Sequence, residues 1–171
     1  MLRRKSLQLV GLSLAALVGC SSGTEEGPAP VPVPDGAAPF LAVGIGANNW
    51  VDLDPARATM APLGVGSQGG YHIWVRLRFR YFAGTVTAQY RVEQLDGTVL
   101  SDSGPLPFTN NRGLTRWGEG FETNSAYTAL LGMFVPTSEF VGNTYRLIVV
   151  LRGEGGVEQR AAHLVTMTDP Q

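Results

Sequence analysis

The chain has 171 residues, 13 basic against 14 acidic, a net charge of −1 and one cysteine at position 20. A lone cysteine ahead of the folded region forms no internal disulfide, and leaves that region without a thiol for a redox pair, a Cys-based zinc site or a blue-copper site. Balanced charge with a single lysine, Lys5, argues against a nucleic-acid binder, which draws most of its affinity from cationic contacts to phosphate.

The chain opens with Arg3, Arg4 and Lys5, followed by an apolar run from Leu7 to Val18 broken only by Gln8 and Ser13. That is the n-region and h-region of an export signal. The run has 12 residues, where a membrane-spanning helix needs about 20. Leu17-Val18-Gly19-Cys20 resembles the lipobox of bacterial lipoproteins, with Val18 departing from the more usual Ser or Ala. The resemblance implies that residues 1–19 are a signal peptide cleaved before Cys20, and that Cys20 carries diacylglycerol and tethers the chain to a membrane. Two or three acyl chains, at about 0.8 kcal/mol per buried CH₂, anchor far more firmly than one. Ser21 following that cysteine, with no Asp there, is similar to lipoproteins sorted to the outer membrane, so the expected location is the cell envelope, at the outer membrane in a Gram-negative host. Loss of Arg3, Arg4 and Lys5 leaves 10 basic residues against 14 acidic ones, a charge of −4.

Residues 20–39 are rich in Ser, Gly, Ala and Pro, including Pro28-Ala29-Pro30-Val31-Pro32-Val33-Pro34. This composition reads as a disordered tether that favours polyproline II, with a reach of roughly 50 Å at about 3.1 Å per residue. Residues 40–171 have the length of one domain with one core.

Within that domain, Tyr71, Ile73, Val75, Leu77, Phe79 and Tyr81 alternate with His72, Trp74, Arg76, Arg78 and Arg80, which predicts a strand with one buried face. Arg76, Arg78 and Arg80 then leave the other face in a row about 6.6–6.8 Å apart, with Glu93 the nearest carboxylate in sequence. Val86 to Leu95 predicts a second strand with Ala88, Tyr90 and Val92 inward, and Asp96-Gly97 turns it into Thr98-Val99-Leu100 as a hairpin. Ala126 to Val135 suits a strand or a helix, with its place before Pro136 favouring the strand. Asn143 to Arg152 and Val157 to Met167, separated by Gly153-Glu154-Gly155-Gly156, predict a second hairpin whose first strand is central. Short strands, glycine turns and no amphipathic helix indicate an all-β fold, a single antiparallel sandwich. Val141-Gly142-Asn143-Thr144-Tyr145-Arg146-Leu147 resembles the penultimate strand of immunoglobulin-like domains. The resemblance implies that Tyr145 takes the place of their corner tyrosine, which bonds back to the preceding loop. Both framework cysteines of that family are missing here.

Gly64-Val65-Gly66-Ser67-Gln68-Gly69 matches the string G-x-G-x-x-G, but it leads into a strand rather than a helix, so the phosphate-binding context is missing. Ser67 is out of register for a G-x-S-x-G nucleophile, and the acids are scattered, so the expectation is a protein that is not an enzyme and needs no cofactor. The two histidines, His72 and His163, show no metal-ligand spacing with Met133 or Met167. Glu119, Glu122 and Asp102 lack the spacing of a calcium loop. The best candidate contact residues are His72, Trp74, Arg76 and Arg78, where an outward Trp beside polar donors would stack on a sugar ring or receive a protein loop. The plainer alternative is that His72 and Trp74 pack under a neighbouring loop. Gly66 to Val75 is also similar to segments of uncharacterised bacterial lipoproteins, which implies no activity. Two readings stay open: a surface binding module with a protein or glycan partner, and a structural or accessory envelope protein.

Overall fold

A computed structural model describes residues 27–66, 70–123, 127–133 and 136–170, with 127–133 described by backbone alone. The expectations for the signal peptide and for Cys20 lie outside these residues. In chain order the strands are β1 (Phe40–Ile45), β2 (Val51–Asp52), β3 (Thr59–Pro62), β4 (Gly64–Val65), β5 (Gly70–Arg80), β6 (Thr87–Glu93) and β7 (Val99–Asp102). They continue with β8 (Leu106–Pro107), β9 (Leu114–Trp117), β10 (Gly120–Thr123), β11 (Tyr127–Met133), β12 (Thr144–Arg152) and β13 (Glu158–Thr168). The protein is all-β: among the described residues the only helix is three one-turn 3-10 segments.

Two sheets enclose one core. The first has the order β2-β1-β5-β10-β9, with β4 and β11 also pairing with β5, and the second β3-β13-β12-β6-β7, with β8 on β6. Leu77, Val75 and Phe79 from β5 meet Val92, Leu147, Val149 and Leu151 from the second sheet in one buried cluster. The alternation in β5 thus holds: its odd-numbered side chains are in the core and its even-numbered ones leave the other face. The hairpins β6–β7 and β12–β13 form as expected, and β12 is central between β6 and β13. The ambiguous stretch is strand β11 over Tyr127–Met133, paired with β5.

The expectation of a purely antiparallel sandwich needs one correction. β3 runs parallel to β13, because the chain changes sheets at Leu63: β3 joins the edge of the second sheet, the Leu63 amide bonds to Thr168, and β4 pairs with β5 in the first. Gly64-Val65 is accordingly strand rather than loop. Tyr145 donates from its hydroxyl to the Glu139 carbonyl (3.2 Å), tying β12 to the loop before it.

The proline-rich segment is not free along its whole length. The Gly27 amide bonds to Asn110, Asn111 Nδ2 donates to the Pro28 carbonyl at 2.8 Å, Arg116 donates to the Ala29 carbonyl at 2.6 Å, and Val31 packs on the core. Prolines leave their own amides out of such contacts, but their carbonyls remain good acceptors. Residues 27–31 therefore form a strap on the domain, which corrects the expectation of a free tether over that stretch.

Candidate functional site

Strand period sends His72, Trp74, Arg76, Arg78 and Arg80 out of the same face of the first sheet. On β1 the residues facing Arg80, Arg78 and Arg76 are Phe40, Ala42 and Gly44. Each member of the row has a different fate.

His72 is buried at 4% exposure. Its ring meets the Trp74 indole edge-on at 4.4 Å, and its Nε2 has no hydrogen-bond partner among the described residues. Burial holds the imidazole below its usual value, so it is neutral at neutral pH. Both rings fit because residue 64 on the paired strand is glycine: a Cβ there would run into His72 and stand 2.6 Å from Trp74 Nε1.

Trp74 is half-buried and lines a cleft of about 290 Å³. The buried Ile45 and Leu63, Pro62, and the loop residues Asn48 and Asn49 line it together with Trp74. Its lips are Met60 and Val51, large apolar side chains that are 61% and 46% exposed. The volume is just under the usual range for ligand sites, about 300–1,000 Å³, which suits one ring or one side chain. Among the described residues the lining carries no acid, base or nucleophile, so the cleft offers shape, apolar surface and amide hydrogen bonds.

Arg76 sits behind the cleft and holds its rim. It is 9% exposed and donates to the Asn48 carbonyl (3.0 Å), to Glu122 (3.0 Å) and to the Thr123 carbonyl (3.1 Å). The Gly46 amide also bonds to the Trp74 carbonyl. Arg78 takes the second oxygen of the same Glu122 at 2.8 Å. Its guanidinium lies 4.1 Å from the Trp50 ring centre and 5.2 Å from that of Trp117. Trp50 lies across Gly44, where a Cβ would come within 2.7 Å of the indole, and its Nε1 bonds to Asp52. The carboxylate serving the arginine row is thus Glu122 of β10 and not Glu93, which pairs with Arg91 and Arg146 on the other sheet.

Arg80 ends the row, stacked over Phe40 (5.2 Å) and Tyr81 (5.1 Å). Phe40 in turn stacks on Trp117 at 5.9 Å. Tyr81 holds a left-handed backbone, φ 64°, which costs a bulky L-residue about 1–2 kcal/mol. Its hydroxyl donates to Glu119, and that bond raises the phenol above its usual range.

The four residues singled out by sequence share one face, but His72 and Arg76 are buried and stand behind the surface rather than on it. His72 backs Trp74, Trp74 lines the cleft, Arg76 holds its rim, and Arg78 shares the carboxylate of Arg76. Sequence reading missed Met60, Val51, Trp117 and Phe40, which come from β1, β2, β3 and β9, strands of two to six residues whose period is too short to read, and Trp50, which lies in the loop just before β2. Glu119, Glu122 and Asp102 are apart, each bonded to its own partners. Among the described residues no three His, Cys, Asp or Glu side chains gather as a metal site. No protein-family model matches the chain, and no curated protein matches it.

Proposed function

We propose that this chain is a lipid-anchored protein of the cell envelope whose sandwich is a surface binding module, and that the cleft beside Trp74 is its recognition site. The observation that carries the reading is the cleft itself: a half-buried indole set among exposed apolar lips and two amides, with its rim fixed by a buried arginine. A sandwich serving only as a spacer has no use for exposed Met60 and Val51 around a concave Trp. Among the described residues the lining is apolar surface and asparagine, which suits binding. The anchor rests on the lipobox at Leu17 to Cys20, which places the module at a membrane surface, in the outer membrane of a Gram-negative host, facing a protein or glycan partner.

The test is a nitrogen-15 NMR titration of the mature chain with neutral oligosaccharides, acidic oligosaccharides and apolar tetrapeptides. Binding should move the Trp74 indole and the Asn48 and Asn49 side-chain amides together, and Trp74→Ala should abolish it. Silence of these resonances across all three panels would leave the structural or accessory role as the better account.

A further inference from the structure

Two arginines of the outward row are matched by a carboxylate and the third is not. Arg76 and Arg78 divide the two oxygens of Glu122, whereas the Arg80 side chain makes no ion pair and no hydrogen bond among the described residues. Its Nε is closed off from water with no acceptor, so the free part of the fork is its two terminal nitrogens. Around it stand rings: Phe40 and Tyr81 against the guanidinium, and Trp117 nearly parallel to Phe40, at 18°. Ring faces stacked on a cation keep it in place without neutralising it. The result is a fixed positive charge beside aromatic surface, the complement of an anionic ring.

Resting on the cleft reading above, we propose that the Arg80 end of this face is a second subsite that takes a carboxylate-bearing sugar, and that the ligand is an acidic glycan lying along β5 from the Trp74 cleft. Six residues separate Trp74 from Arg80, roughly 20 Å of strand, so the ligand spans several sugar rings. Trp50 lies between the two ends, joining the cleft loop to the Arg78 and Trp117 stack. Electron-rich ring faces suit the C–H faces of sugars, and the two terminal nitrogens of Arg80 suit a carboxylate approaching end-on. An acidic peptide fits less well, because a peptide added to this sheet would follow a free edge, β2 or β9, and not the face along β5. β5 has no free edge here: β4 and β1 pair along one side, β11 and β10 along the other.

The experiment is calorimetric titration of the full chain with oligogalacturonate and with its methyl ester, which has the same rings without the charge. The acid form should bind roughly tenfold tighter at low salt, the worth of a charge-assisted hydrogen bond. Arg80→Gln should remove that preference, Arg80→Lys should restore part of it, and Trp74→Ala should weaken both forms. Equal binding of the two forms, or a preference that survives Arg80→Gln, overturns the subsite, and the cleft still stands if Trp74→Ala weakens binding. A preference that depends on Arg80 but not on Trp74 keeps the subsite and removes the cleft reading. Binding of apolar tetrapeptides alone, sensitive to Trp74, overturns the glycan and keeps the cleft.

Discussion

Arg78 is the residue at which position on a face and contribution to stability diverge. On strand period alone it is an outward arginine, and an exposed ion pair is worth about 0–1 kcal/mol. Here it is bonded to a largely buried Glu122 that also holds Arg76, and two indoles lie on it. Arg78→Ala should therefore cost about 1–3 kcal/mol in urea unfolding, from the carboxylate bond and the cation–ring contacts together. Leu77→Ala, which empties a fully buried site, should cost about 2–5 kcal/mol. A loss at Arg78 below about 0.5 kcal/mol would mean that the network is idle. The histidines set a second test. Burial lowers His72 and His163 below 6.5, so the folded chain resists a proton that the unfolded chain accepts. Their contribution is whole above about pH 6.5 and is lost as pH falls through that value. Asp54, Asp96 and Asp102 are held below 3.8, so their losses come at lower pH and leave pH 5–6.5 to the histidines. Unfolding midpoints should fall over that window, and less steeply in His72→Gln/His163→Gln; an unchanged slope would remove the histidines as its cause.

Among the elements, legibility followed length. β5, β6, β12 and β13 have seven to eleven residues, enough to declare them as strands, and in β5 and β6 a period of two also declares the inward face. β2, β4 and β8 have two residues each, too few for any period, so the sheet change at Leu63 and the parallel pairing of β3 were hidden. The candidate site fell on both sides of that line. Its readable half was the row along β5; the other half was the side chains that β1, β2, β3 and β9 lay against that row. Glu122 illustrates the gap: 29 positions farther along the chain than Glu93, it is nevertheless the carboxylate that β10 delivers beside Arg78. Gly44 of β1 tests this cross-strand layer directly. A methyl group at 2.7 Å from the Trp50 indole must lift the ring from the sheet, at about 1–3 kcal/mol for overpacking. Gly44→Ala should thus lower the unfolding midpoint and broaden the Trp50 indole resonance. A variant as stable as the parent, with that resonance unmoved, would mean that Trp50 does not rest there.

At the scale of the whole molecule, the strap limits how far the domain can stand from the proposed anchor at Cys20. A wholly free segment from Cys20 to Pro39 would reach roughly 50 Å. With Gly27 bonded to Asn110, Pro28 to Asn111 and Ala29 to Arg116, the chain between a lipid on Cys20 and the domain is six residues. Fully extended, these cover no more than roughly 25 Å. The proposed anchor and the strap together keep the loop at 109–113 near the headgroups, so the domain has a preferred side toward the membrane. In nanodiscs, a dye on Arg112→Cys should transfer energy efficiently to a headgroup acceptor. Asn111→Ala with Arg116→Ala removes the two side-chain bonds of the strap while leaving the core intact, so unfolding should change by less than about 2 kcal/mol. The released segment should then let the domain drift outward, lowering the transfer, and should become open to proteases at residues 27–31. Lower transfer with unchanged stability would show the strap acting as a spacer lock. Transfer that stays the same in the double variant, with the segment still protected, would mean that Val31 and the Gly27 amide hold it unaided. Transfer that is weak from the start would show that the membrane lies elsewhere.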